Sequence, residues 1–118
     1  MADSVLFLGW GNPVRGREQK ATAVFGEAVE MWTKLESDGL IESWEAVFLD
    51  LHGGDLDGFF LIRGDRAKLA QVRDSEHMDL LLQRAGLVVE GIGLVGGATG
   101  ARVQTTMASY MENAAELG

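Results

Sequence analysis

The chain has no cysteine in its 118 residues, which excludes disulfides, thiolate metal centres and a cysteine nucleophile. Histidine is nearly as scarce, with His52 and His77 the two present, so any imidazole chemistry has to use one or both of them. Basic residues are outnumbered, 10 Lys and Arg against 18 Asp and Glu, for a net charge of −8. The acids are spread along the chain rather than gathered in a tail, and a nucleic-acid partner, which needs a basic face, is not expected. Long apolar runs are missing as well. Val5 to Trp10 lacks a basic flank and is too short for a signal peptide or a membrane span, so the expectation is a cytoplasmic protein with no membrane partner. The one proline, Pro13, stands in the turn after that run.

What is present is globular composition, 47% apolar and 24% charged, in a length that suits one domain over residues 1–118. Val5 to Leu8 reads as a buried strand closed by Gly9-Trp10-Gly11-Asn12-Pro13. Ala21, Val24, Phe25, Ala28, Trp32 and Leu35 then recur at three- and four-residue steps, the stripe of an amphipathic helix, with Gly39 placed as its C-terminal cap. Trp44 to Leu51 and Phe59 to Ile62 read as two strands folded back through the glycine-rich turn His52-Gly53-Gly54-Asp55-Leu56. Asp65 is a good N-cap for a second helix, and Asp74-Ser75 predicts a break before a further helical stretch carrying Met78, Leu81, Leu82 and Ala85. Leu87-Val88-Val89, continued to Val95, reads as a fourth strand, closed by a glycine turn from Gly96 to Gly100. A last helix carries Val103, Met107, Tyr110, Met111 and Ala114 on one side.

This order, β-α-β-β-α-β plus a C-terminal helix, fits an α+β, ferredoxin-like fold: a four-stranded antiparallel sheet with both main helices on one face, given right-handed crossovers. The face without helices would normally alternate apolar and polar residues. Strands one and three are apolar on both faces, so a second subunit laying its own sheet there is the simplest cover, and an obligate homodimer is expected.

The same order of elements, the passage H-G-G-D-L-D-G-F-F-L-I-R-G-D from His52 to Asp65, and the later D-S-E-H-M-D-L-L with V-V-E-G-I-G-L-V-G-G resemble small bacterial proteins of the dimeric α/β-barrel superfamily. The resemblance implies two ferredoxin-like subunits closing their sheets into a barrel. That superfamily includes cofactor-free monooxygenases, haem-handling enzymes, lactone isomerases and ligand-binding regulators, so it implies no single activity.

Several groups are candidates for chemistry. Asp50, His52, Asp55 and Asp57 cluster at the hairpin turn and are adequate ligands for a divalent metal, although a solvated turn explains them more simply. His77 follows the third strand on a helix that returns toward the hairpin. Some haem-binding members of the superfamily carry an axial histidine there, but a half-buried structural histidine is the commoner case. Gly91-Ile92-Gly93-Leu94-Val95-Gly96 matches a dinucleotide fingerprint in letters, but no βαβ unit follows it. Arg15 and Arg17 flank a helix start, where an anion is sometimes held. If Leu51 pairs with Asp57, Glu45 falls opposite Arg63, an opposite-charge pair.

The expectation that results is a homodimer holding a small apolar or aromatic molecule in a cavity at the dimer, against Trp44, Glu45, Phe48, Phe59, Leu61, Arg63 and His77, with no metal and no cofactor. The alternatives are a cofactor-free monooxygenase or isomerase of the same fold, which needs a titratable group inside the cavity, and a structural or interaction module whose cavity is filled by side chains.

Overall fold

The structure is a computed structural model and describes residues 2–118. Its elements are β1 (Ser4–Trp10), α1 (Glu18–Ser37), β2 (Ser43–Phe48), β3 (Gly58–Gly64), α2 (Arg66–Arg73), α3 (Glu76–Gly86), β4 (Gly93–Ala98) and α4 (Ala101–Leu117). The four strands make one antiparallel sheet in the order β2-β3-β1-β4. The connection from β1 to β2 through α1 crosses β3, and the connection from β3 to β4 through α2 and α3 crosses β1. This is the ferredoxin-like arrangement that the order of elements predicts.

Alternation along the strands decides which side of the sheet the helices cover. In β1 and β3 the even-numbered positions other than Trp10 are buried and most odd ones are half-buried. Leu6 faces Ile62 across the ladder and Leu8 faces Phe60, all four at most 2% exposed. Onto them α1 packs Val24, Ala28, Met31 and Trp32, α2 packs Leu69 and Val72, and α3 packs Met78, Leu81 and Ala85.

The helix ends follow their local chemistry. Gly39 takes φ +78°, its N–H donating to Glu36 O and the Leu40 N–H to Leu35 O, which closes α1 as a glycine C-terminal motif does. The Asp65 carboxylate accepts from the Lys68 N–H at 3.2 Å, and the Ser75 hydroxyl accepts from the Met78 N–H at 3.2 Å. Each cap contributes about 1 kcal/mol; Asp65 starts α2, and Ser75, directly after the Asp74 C-cap of α2, starts α3 and so marks the break.

Two expectations need correction. The fourth strand is Gly93–Ala98, not a run from Leu87. Leu87 caps α3, Val88 enters the core at 6% exposure, and the stretch from Val88 to Glu90 bonds to residues 11–14 rather than to the main sheet. Gly91, at φ +65°, then turns the chain into β4. Gly96 and Gly97, expected in a turn, pair with Leu6 and Val5. The hairpin register also differs by two residues: Ser43 faces Arg63 and Glu45 faces Leu61. The loop between is anchored elsewhere, the Asp57 N–H donating to Trp10 O at 2.8 Å and Leu56 lying where a side chain on Gly9 would stand. A two-residue slip keeps every side chain on its own face, so Glu45 still reaches Arg63, now diagonally, at 3.1 Å.

Candidate functional site

At the Trp10 end of β1 the helix layer does not fill the space above the sheet. There α1 presents Ala21 and Ala28 and α3 presents Ala85, and these small side chains leave a cavity of about 460 Å³, within the range of small-molecule sites. Its aromatic wall joins four elements, β1, α1, β2 and β3. The Phe25 ring stacks on Phe60 at 5.1 Å between centroids and Trp10 tilts against Phe60 at 5.2 Å, while Phe48, 69% exposed, stands at 5.3 Å from Phe25. Val88, Val89 and Ile92, from the connection into β4, add an aliphatic wall.

Polar groups are few and occupied locally. Glu18 is the one titratable side chain among the lining residues, and its carboxylate accepts from the Gly16 N–H at 3.0 Å. The Thr22 hydroxyl donates to Glu18 O at 3.2 Å. The arrangement offers apolar contact and aromatic stacking, with one carboxylate at the edge.

The residues singled out in the sequence are divided by the fold. Phe48 lines this cavity. Trp44 shares its face but packs against the core, 6.1 Å from Phe60. Glu45, Phe59, Leu61 and Arg63 point to the opposite face of the sheet, where Phe59 stacks on Phe7 at 4.7 Å. His77 is exposed on the first turn of α3. The cavity thus lies within one chain, between sheet and helices, and not on the open face. Trp10, Phe25 and Phe60 were missed as its lining. The signal was available, since Phe25 lies on the α1 stripe beside alanines one turn either side.

The remaining motifs have structural work. His52 accepts at Nδ1 from the Gly54 N–H at 3.2 Å, and its Nε2 lies 2.8 Å from Leu56 O, so the ring closes its own turn. Among the described residues no three of His, Asp and Glu come together as a metal-ligand set. The Arg17 guanidinium donates to Leu87 O at 2.8 Å, tying the start of α1 to the end of α3. Gly93 and Gly96 of the dinucleotide-like string sit in β4 instead of opening a helix.

No family model matches the chain, and no curated protein does. Solved structures do. A DABB family protein with a ferredoxin-like fold from Mesorhizobium loti aligns at a TM-score of 0.64 and 10% identity, over 84% of this chain and 99% of that one. A dimeric protein of unknown function with a ferredoxin-like fold from Bacteroides fragilis aligns at 0.58 and 9%, over 81% and 96%. An antibiotic biosynthesis monooxygenase aligns at 0.56 and 17%, over 86% and 98%. At these identities the likeness is one of fold, and it bears out the resemblance to dimeric ferredoxin-like proteins. No helix among the described residues is long and apolar enough to cross a membrane.

Proposed function

We propose that the chain is a single-domain cytoplasmic homodimer in which each subunit binds a small apolar or aromatic molecule between its sheet and helices. The observation that carries this is the cavity of about 460 Å³ walled by Trp10, Phe25, Phe48 and Phe60. Packed cores leave few voids larger than a water molecule, and an apolar space of this size with an exposed aromatic ring at its mouth is the makeup of a ligand site. It also speaks against a purely structural module, whose interior would be filled.

The second copy is assigned to the open face of the sheet. Val5, Phe7, Phe59 and Leu61 are only half-buried there and Val95 is 58% exposed. Dimeric proteins among the structural neighbours support the assignment. Glu45 and Arg63 lie on that face as a polar pair at its margin.

A cofactor-free oxygenase or isomerase is the competing reading, favoured by Glu18 at the edge of an otherwise apolar cavity. Titration of the protein with small hydrophobic acids and phenols, followed by Trp fluorescence, tests both. Saturable quenching is expected, weakened tenfold or more by Phe25→Ala. Turnover of a bound phenol with oxygen consumption, lost in Glu18→Gln, would establish the enzyme reading instead. No saturable response from any ligand would leave the structural module ahead.

A further inference from the structure

β1 runs from the apolar cavity at Trp10 to a second pocket at Ser4, roughly 20 Å away at strand rise. The second pocket, about 390 Å³, lies between α2, the ends of β1 and β4, and the start of α4, and it is lined by Arg66, Arg73 and Arg102. Three of the ten basic residues of a chain with net charge −8 therefore converge on one concavity. No Asp or Glu is among the lining residues. The charged side chains of the lining are thus all positive, opposite in sign to the net charge of the chain.

The guanidinium groups are placed by the fold. Ser4, 3% exposed, accepts at its hydroxyl from Arg102 Nη1 at 2.6 Å and donates its own proton to the Asp3 carboxylate at 3.1 Å. One N–H of Arg102 is thus spent on orientation, and the other donors are left for a ligand. Arg73 lies over Gly96, where an added Cβ would stand 3.4 Å from its Nη1. Among the described residues its only carboxylate neighbour within 4 Å is the 76% exposed Asp74, at 3.8 Å. Arg66 and Arg102 have no carboxylate within 4 Å among the described residues. Arg66 and Arg73 are seven residues apart on α2, two turns along one face and about 10 Å end to end. That spacing suits a ligand with more than one charged group. The start of α4, where Gly100 supplies no side-chain cap, contributes Arg102 to the same pocket, and the positive end of that helix's dipole adds to the potential.

We infer that this pocket binds a small multiply charged oxyanion, a phosphate- or carboxylate-bearing molecule held by Arg66, Arg73 and Arg102. Planar guanidinium groups pair with such oxyanions through two N–H donors at once. The site is separate from the apolar cavity, and its failure would leave that cavity's assignment untouched.

Calorimetric titration of the full chain with pyrophosphate, and separately with citrate, at low ionic strength tests it. Saturable binding of one anion per chain is expected. Arg73→Gln and Arg102→Gln should each raise the dissociation constant tenfold or more, while Arg15→Gln, a surface arginine outside the pocket, changes it less than twofold. Pyrophosphate bound in preference assigns a phosphate compound, and citrate bound in preference assigns a polycarboxylate. Melting of each variant without anion confirms that it is folded. Non-saturable binding, or folded Arg73→Gln and Arg102→Gln proteins that bind like the parent, would overturn the inference, as would an equal loss in Arg15→Gln.

Discussion

The two faces of the sheet are built from the same kinds of residue and differ in what covers them. On the helix side Leu6, Leu8, Phe60 and Ile62 are at most 2% exposed. On the other side their immediate neighbours Val5, Phe7, Phe59 and Leu61 are half-buried, although nothing in their chemistry is more polar. A monomer rarely leaves a contiguous apolar patch beyond a few hundred Å² open, so the second face is suited to an intermolecular contact. α4 continues the pattern, with Val103, Met107, Tyr110 and Met111 between 48% and 66% exposed.

Adjacent residues on opposite faces allow the contrast to be broken. Ile62→Ala removes a fully buried side chain and should cost about 2–5 kcal/mol of unfolding free energy. Leu61→Ala should cost clearly less in dilute solution, and more as the concentration rises if the proposed second copy covers it. Denaturant melts at two protein concentrations measure both. Equal, concentration-independent losses would show that the open face is complete in one chain.

Phe59→Asp places a charge at the centre of the open face. Light scattering at micromolar concentration should give twice the 12.7 kDa chain mass for the parent and the single-chain mass for the variant. A parent already at the single-chain mass would sink the dimer.

A smaller effect is expected at the margin of that face. Glu45 and Arg63 are roughly half exposed and joined by one hydrogen bond at 3.1 Å. A double-mutant cycle with alanine should give a coupling of about 0.2–1 kcal/mol, rising if the second copy shields the pair.

The smallest effect concerns the helix layer, where Arg84 donates to both carboxylate oxygens of Glu27 at 2.8 and 2.7 Å. These hydrogen bonds chiefly, opposed by slight burial and aided by the Arg84 charge, hold the Glu27 carboxyl below the ordinary 4.5, and Arg84 is pushed up in return. A lowered carboxyl contributes stability above its unfolded value and loses it as pH falls through its folded one. The stability difference between parent and Glu27→Gln should therefore be present at pH 6–7, and shrink as the pH drops below about 4.5. A difference unchanged at pH 3 would assign the effect to packing.

The candidate site was less legible than the fold, and particular residues explain why. Phe48 was found because a strand pattern and an aromatic side chain coincide there. Phe59 and Leu61 were grouped with it, although they sit on the other face. Membership of a face depends on register parity across the sheet, and membership of a cavity depends on what the facing helices leave empty. The same holds for Arg66, Arg73 and Arg102: each looks like ordinary surface charge until β1, β4, α2 and the start of α4 bring them together.

Features governed by neighbours in the chain were decided by the sequence alone: the α1 stripe, the caps at Gly39, Asp65 and Ser75, and the strand character of Val5–Leu8 and Phe59–Ile62. Their energies arise within a few residues, from 3.6- or 2-residue periodicity and from single side chain to backbone bonds. Tertiary structure decided the rest. Gly93–Ala98 is poor in strand formers and is a strand because β1 offers it a ladder. The hairpin register follows Asp57 bonding to Trp10, a contact 47 residues distant in sequence. Both pockets exist because helices and sheet meet with alanine and glycine at the points of contact, a matter of volume that no local pattern records.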